Sequence, residues 1–395
     1  MTASSRTCPK CFAYFSHFYI YQSDPTRTIL PHPAILGKKG YIDKNLTAMT
    51  HVCQHRRKVL IAHSSLWTHL RCWNIERTRI CIERSKSSPL EISLYEHGKS
   101  QYYRKEAFLL VIPHIDQIAS ISISGGKNLF QYFIKHFSCH VPLLRDLYPN
   151  PIFYPLLALD NTLFIDDLSS LRTLSLRGIV PRPIPWKDLL QLTAFSMLPY
   201  PPAEGMSVTQ LLDLFSKAPR LSKIELAPIP TSPDTPAERV VRLPCLESLT
   251  LHMTWAHSSI FLNHLSLPAG VFLHVVFSSR GEKSPLPKLL PKNPENLQNL
   301  LHVTSAYLYF NGSHVSVRLD GPNGGLTMCG NREHQPKGAP VVSESDILRS
   351  LDYFTISRLQ RLALTAYEFR WCTTRPTNTL PSIFFVSRVT SALSS

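Results

Sequence analysis

Cys8 and Cys11, in Cys-Pro-Lys-Cys, have the spacing at which two thiolates share one tetrahedral zinc ion. That is half of a ligand set. No second pair follows at the roughly 15–20 residues that zinc ribbons use, and His17 or His32 would have to complete it from a stretch interrupted by Pro25, Pro31 and Pro33. Ordering such an arm around two ligands costs chain entropy that two metal bonds offset poorly, so no bound metal is expected. The run GPNGGLTMCGN from Gly321 is glycine-rich but lacks the Lys-Ser/Thr ending with which a P-loop holds phosphate and magnesium. It reads as a wide turn. Asp166 and Asp167 stand just before a strand-like segment, where capping accounts for acidic residues. No nucleophile, base and orienting acid assemble from local signatures, and 17 scattered histidines do not replace them. Neither catalysis nor a cofactor is expected.

What must position any working residues is a large folded body. A chain of 395 residues, 44% hydrophobic, has enough apolar side chain for a sizeable core. Its longest apolar stretches, such as AFLLVIPHI from Ala107, fall well short of the roughly 20 residues that span a bilayer, and no signal-peptide pattern opens it. The chain reads as soluble and intracellular, cytoplasm or nucleus not distinguished, with no membrane partner. Nine cysteines, odd in number and dispersed, fit reduced thiols better than a disulfide framework.

From about Ile80 short segments with apolar residues at positions 1, 4 and 6 recur. IASISI begins at Ile118, LRTLSL at Leu171, LTAFSM at Leu192, LSKIEL at Leu221, LESLTL at Leu246 and LQRLAL at Leu359. Weaker members are LEISL from Leu90, LLRDLY around Leu144, which Pro149 should cut short, and VTSAYLYF from Val303. Several steps fall within the roughly 20–29 residues of a leucine-rich repeat, in which alternate residues of a short strand enter a shared core. Leu174, Leu176, Ile224, Leu226, Leu249 and Leu251 should therefore be buried. Between strands, SVTQLLDLFSKAPRL starts at a good N-cap, Ser207, and places Leu211, Leu212 and Phe215 on one helical face. KNLFQYFIKHF from Lys127 does the same with Leu129, Phe130, Phe133 and Ile134. The expected fold is α/β, an irregular leucine-rich-repeat solenoid over residues 80–370.

The formal charge of +15 is concentrated at the amino end. Residues 1–106 hold 17 Lys+Arg against 7 Asp+Glu, so 17 − 7 = +10 lies there. Neither RRK at Arg56–Lys58 nor GKK at Gly37–Lys39 comes with stacking aromatics or a nucleic-acid module, so no nucleic-acid partner is expected. Residues 1–48 carry no sustained period and read as a poorly ordered basic arm, and 371–395 as a carboxy-terminal tail. Over 49–79 the pattern is helical: Met49, Val52, Cys53, Val59 and Leu60 share one face, and that stripe passes through Arg56.

The segment VCQHRRKVLIAHSSLWTHLRCWNIERTRICIERSKSSPLEISL, Val52 to Leu94, resembles the carboxy-terminal half of an F-box and the first repeat behind it in the large fungal families of F-box proteins with degenerate leucine-rich repeats. The likeness continues through DLSSLRTLSLRGIVPRPIPWKDLLQLTAF, SVTQLLDLFSKAPRLSKIEL, HSSIFLNHLSLPAG and SPLPKLLPKNPENLQNLLHVTSAYLYF, covering roughly residues 50–370. The resemblance implies a non-catalytic adaptor of an SCF-type (cullin-RING) ubiquitin ligase. Its F-box helices would dock on a Skp1-type adaptor and its repeats would capture an unidentified target. On that resemblance Val52, Cys53, Leu66 and Trp67 lie in or beside the docking segment, with packing the expected role of Cys53 and Trp67. The strands would present Arg172, Thr173 and Ser175 in one rung, and Ser222, Lys223 and Glu225 in another.

The chain departs from that family at two places. Family members usually carry Trp where Arg56 stands. The Leu-Pro and amphipathic helix that open an F-box are matched only by Leu30-Pro31 followed by HPAILGKKGYI, which Pro33, Gly37 and Gly40 make a poor helix. The alternative expectation is thus a repeat scaffold that binds partner proteins without a working Skp1 connection.

Overall fold

The computed structural model describes residues 54–97, 100–101, 105–137, 141–151, 157–159, 169–181, 189–198, 206–227, 239–253, 255–278, 296–300, 303–311, 314–322, 324–331 and 361–367. The expected arm (1–48) and tail (371–395) lie outside them, as do Met49, Val52 and Cys53. By backbone contacts the chain forms two units, Met1–Leu66 and Trp67–Ser395. In the first, helix α1 covers Gln54–Ala62. It includes Arg56, exposes His55, Arg57 and Lys58, and buries Leu60.

The second unit is mixed α/β, built on a 14-stranded, mostly parallel sheet. Thirteen strands form its path: β1 (His69–Arg71), β2 (Leu90–His97), β3 (Ile118–Gly125), β4 (Asp146–Pro151), β5 (Thr173–Arg177), β6 (Ala194–Leu198), β7 (Lys223–Leu226), β8 (Ser248–His252), β9 (Phe272–Ser278), β10 (Ser305–Asn311), β11 (His314–Asp320), β12 (Gly325–Asn331) and β13 (Arg361–Tyr367). Strands β1 to β9 lie side by side in chain order, every neighbour parallel. A parallel pair needs a crossover on one side of the sheet. Helices α2 (Ile75–Ser85), α3 (Lys105–Leu109), α4 (Lys127–His136), α5 (Val208–Ser216) and α6 (Trp255–Asn263) lie in those crossovers. Helix α2 carries the chain without a break across residues 79 and 80, where the sequence suggested a boundary.

Each local device has a sequence cause. Asn74 caps α2 by accepting from the Arg77 N–H at 2.9 Å, and Ser207 with Gln210 forms a reciprocal capping box on α5. Helix α4 lacks a capping side chain of its own. The Glu96 carboxylate, reaching from β2, instead accepts from the Gly126 N–H at 3.0 Å. Alternation along the strands sends one set of side chains into the core, and Leu174, Leu176, Ile224, Leu226, Leu249 and Leu251 are all at most 2% exposed. Phe215 on α5 meets Phe195 of β6 and Phe261 of α6 edge-on, at 5.9 and 6.0 Å between ring centroids.

In four of the repeats the leucine ahead of the strand does not belong to it. Leu144, Leu192, Leu221 and Leu246 donate their N–H groups to the carbonyls of Val141, Leu189, Ala218 and Leu243, closing a tight turn just ahead of the strand. The next residue opens a second regularity. Arg145, Arg172, Thr193 and Ser222 each offer one carbonyl to two successive N–H groups of the following strand, as Arg145 does to Arg172 and Thr173.

Several expectations need correction. Pro149 does not end its strand, because β4 runs to Pro151. Only its ladder to β5 stops early, at Leu147, while the ladder to β3 continues, as suits a residue with no N–H to donate. Ile134 is half-buried rather than packed with Leu129, Phe130 and Phe133. The glycine run is no wide turn: Gly321–Gly324 makes a short connection, and Gly325–Asn331 is strand β12, antiparallel to β11 and parallel to β9. The chain returns to β9 only after β10 and β11, so the sheet order ends β9-β12-β11-β10-β13.

Candidate binding face

Side chains that do not enter the core stand on the opposite face of the sheet, and register aligns them into rows. One row runs Ser175, Ser196, Glu225, Thr250, His274, Thr327, Arg318, Tyr307 across β5 to β9 and on to β12, β11 and β10. The row on its strand-start side passes through Lys223, Ser248, Phe272 and Gly325. Hydroxyls and charges dominate, as expected where one sheet face is packed and the other is not.

Two titratable groups of side chains form on this face. At the centre Glu225 Oε1 lies 3.4 Å from His252 Nε2, and the Ser196 hydroxyl donates to Glu225 Oε2 at 3.1 Å. Burial alone would raise the Glu225 carboxyl. Hydrogen bonds from His252 and Ser196, with the charges of His252 and Arg177, more than offset it and hold the group below its usual range. His274, one strand further, is pushed below its usual value by burial, helped by His252. Nearer the amino end, burial raises Asp146 against the opposing Thr173 hydroxyl, and pushes Tyr148 up to about 12. Glu91 Oε2 lies 3.4 Å from His69 Nδ1 on the neighbouring strand.

This arrangement suits binding better than bond making. Ser196 donates to a carboxylate, not to an imidazole that could take its proton, so the Ser-Glu-His grouping has the wrong order for a nucleophile and its base. Burial pushes the Cys72 thiol up to about 12, which leaves it protonated at neutral pH. Among the described residues no group of three His, Cys, Asp or Glu is placed to hold a metal ion, and no helix is long and apolar enough to cross a membrane.

The residues singled out in the sequence are distributed as follows. Leu66 is half-buried in the 3-10 turn Ser64–Trp67. Trp67 is 7% exposed, and the Arg84 guanidinium of α2 lies over its ring at 4.3 Å from the centroid, a packing contact. Val52, Cys53, Cys8, Cys11, Asp166 and Asp167 lie outside the described residues. Thr173, Ser175, Lys223 and Glu225 stand on the polar face. Arg172 and Ser222 precede their strands, where their backbones join one repeat to the next. His252, His274, Phe272 and Arg177 were not foreseen, although the alternation of LESLTLH pointed to His252.

The pH dependence of stability follows from these groups. The unfolded chain protonates His274 more readily than the folded one, so stability falls as pH drops from the ordinary histidine value of 6.5 toward the lower folded value. Glu225 adds stability above its ordinary 4.5, lost as pH falls through its lowered folded value. Asp146 acts oppositely, its cost being relieved on acidification. The melting temperature is expected to decline between neutral pH and pH of about 5.5, and His274→Gln should reduce that decline. Parallel curves for the two proteins would show that His274 is not a source.

Comparison with protein-family models, with curated proteins and with solved structures gives no match.

Proposed function

We propose that this protein is a non-catalytic protein-binding adaptor, built like the substrate-receptor subunit of an SCF-type ubiquitin ligase, with the strands from β1 onward forming an irregular leucine-rich-repeat solenoid. The observation that carries the reading is the run of nine parallel strands laid down in chain order, with the same leucine-led turn ahead of β4, β6, β7 and β8, a valine-led one ahead of β9, and a polar face opposite the core. Hydrogen-bonded partners on successive units stand 21 to 29 residues apart, the period of such repeats. A row of short polar side chains interrupted by charges is a surface on which a protein segment can be read by side-chain hydrogen bonds while the core stays unchanged.

A second reading, a repeat scaffold without a working Skp1 connection, is favoured by the amino-terminal residues. Arg56, within helix α1, stands at the position where the family this chain resembles usually carries Trp, and Trp67 packs under Arg84. The two readings share the repeats and differ only in the docking module. Grafting a complete family F-box onto Leu70 and the residues after it is expected to give stable association with a Skp1-type adaptor. A graft that folds and still fails to associate would remove the adaptor reading.

A further inference from the structure

We propose that the polar face between β5 and β9 takes an acidic segment of a partner protein, in which a carboxylate side chain stands about three residues from an apolar one. This rests on the protein-binding reading of the face and adds the chemistry of the partner.

The charge on this part of the face is unbalanced. Arg177 and Lys223 stand on its described strands against one acid, Glu225, which already faces His252. Glu225 is no acceptor for an incoming cation, since its side chain is 15% exposed and its two oxygens already face His252 and Ser196. The Arg177 Nε is buried without a hydrogen-bond partner among the described residues. A basic segment would meet cations here, whereas an acidic one supplies the missing counter-charge.

The apolar contact is set by Phe272. Its side chain is 58% exposed at the start of β9, and its lateral neighbours are Ser248 and Gly325, too small to cover the ring. Exposed aromatic rings on binding faces act as anchors because they bury much area for little lost rotamer freedom.

Spacing joins the two contacts. Lys223, Ser248 and Phe272 share one row, so Lys223 and Phe272 are two strand spacings apart, roughly 10 Å. A peptide crossing the strands in polyproline II conformation has three residues per turn and rises about 3.1 Å per residue, so side chains three apart share one side of it at roughly 9 Å, and a carboxylate over Lys223 is followed or preceded at the third residue by a side chain over Phe272.

The test is selection of a displayed library of short random peptides on the immobilised full chain, followed by affinities of the enriched peptides for Lys223→Glu and Phe272→Ser, both folded by their melting curves. Enriched peptides are expected to pair Asp or Glu with a large apolar residue about three positions away, and to lose about tenfold in affinity with each substitution and on raising salt. Enrichment of basic or uncharged peptides that still lose affinity in Phe272→Ser would keep the face as a binding surface and overturn the acidic partner. Enriched peptides indifferent to both substitutions, or no enrichment at all, would overturn the inference together with this use of the face. A concentration-dependent dimer abolished by Phe272→Ser would assign the face to a second copy of the chain and overturn it as well.

Discussion

Phe215→Ala is expected to destabilise the protein by about 3–5 kcal/mol, the cost of removing a large ring from a packed interior that cannot close around the gap. Phe215 is 1% exposed and belongs to α5, yet its two ring contacts are with Phe195 on β6 and Phe261 on α6. A single side chain therefore ties a crossover helix to the strand before it and to a later crossover. Truncation deletes two edge-to-face pairs, worth about 0.5–1.5 kcal/mol each beyond burial, and leaves a cavity bounded by three elements. The matched control is Phe272→Ala, on the other side of the same sheet, where a half-exposed ring should cost less than about 0.5 kcal/mol. Chemical denaturation of the two variants measures the contrast. Equal losses would mean that the packed and open faces have been assigned the wrong way round.

Gly324→Ala is the second large effect, and its cause is backbone rather than cavity. A Cβ at this position would stand 2.5 Å from the Val271 carbonyl oxygen, 2.7 Å from that of Ala269 and 3.0 Å from the Gly270 carbonyl carbon. None of these is the end of a side chain that can swing away, so the β11–β12 connection or the segment before β9 must move. Movement strains the Gly325 N–H bond to Val271, 3.1 Å long, and the buried Asn299 amide, which donates to the carbonyls of Val271 at 3.2 Å and Gly325 at 3.1 Å. Asn299 is 3% exposed, and a buried amide that loses its partners costs about 1–3 kcal/mol by itself. A total of about 2–4 kcal/mol is expected. Hydrogen exchange should show the loss of protection concentrated in Gly325–Asn331 and Phe272–Ser278, the two strands joined at this point. Unchanged protection and stability would mean that the chains do not approach so closely at Gly324.

How much of this was legible in the sequence depends on the distance over which each cause acts. The strands with leucines at the first, fourth and sixth positions could be read because alternation and turn formation are local. The leading leucine sits in the turn and the other two in the strand, so the six-residue pattern records two structures at once. Helix α5 could be read to its cap, since Ser207 and Gln210 bond one another within a single turn.

Strand β9 escaped because FLHVVFS has no leucine triplet, and an apolar run carries little sign of which neighbour will accept it. The glycine run from Gly321 was misjudged for a different reason. Gly324 is needed by the close approach of Val271, more than 50 residues away in the sequence, and Gly325 by that of Leu319 across the hairpin, a pairing that the glycine run itself does not signal. The grouping of Glu225, His252, His274 and Ser196 was hidden altogether. Ser196 and Glu225 are 29 residues apart, and only the lateral register of the sheet makes them neighbours.

The measurement that separates the adaptor reading from the scaffold reading most directly is the affinity of the purified, unmodified chain for a Skp1-type adaptor, measured beside the grafted protein. On the proposed resemblance, Arg56 replaces an aromatic whose loss from a small helical unit commonly costs about 3–5 kcal/mol, and the helix that would open an F-box is poorly encoded before residue 49. The expected result is weak binding, with a dissociation constant above about 10 μM, and recovery of tight binding only in the graft. Stable co-purification of the unmodified chain with the adaptor in equal amounts would contradict this, and would mean that Arg56 and its neighbours form a divergent but working docking surface.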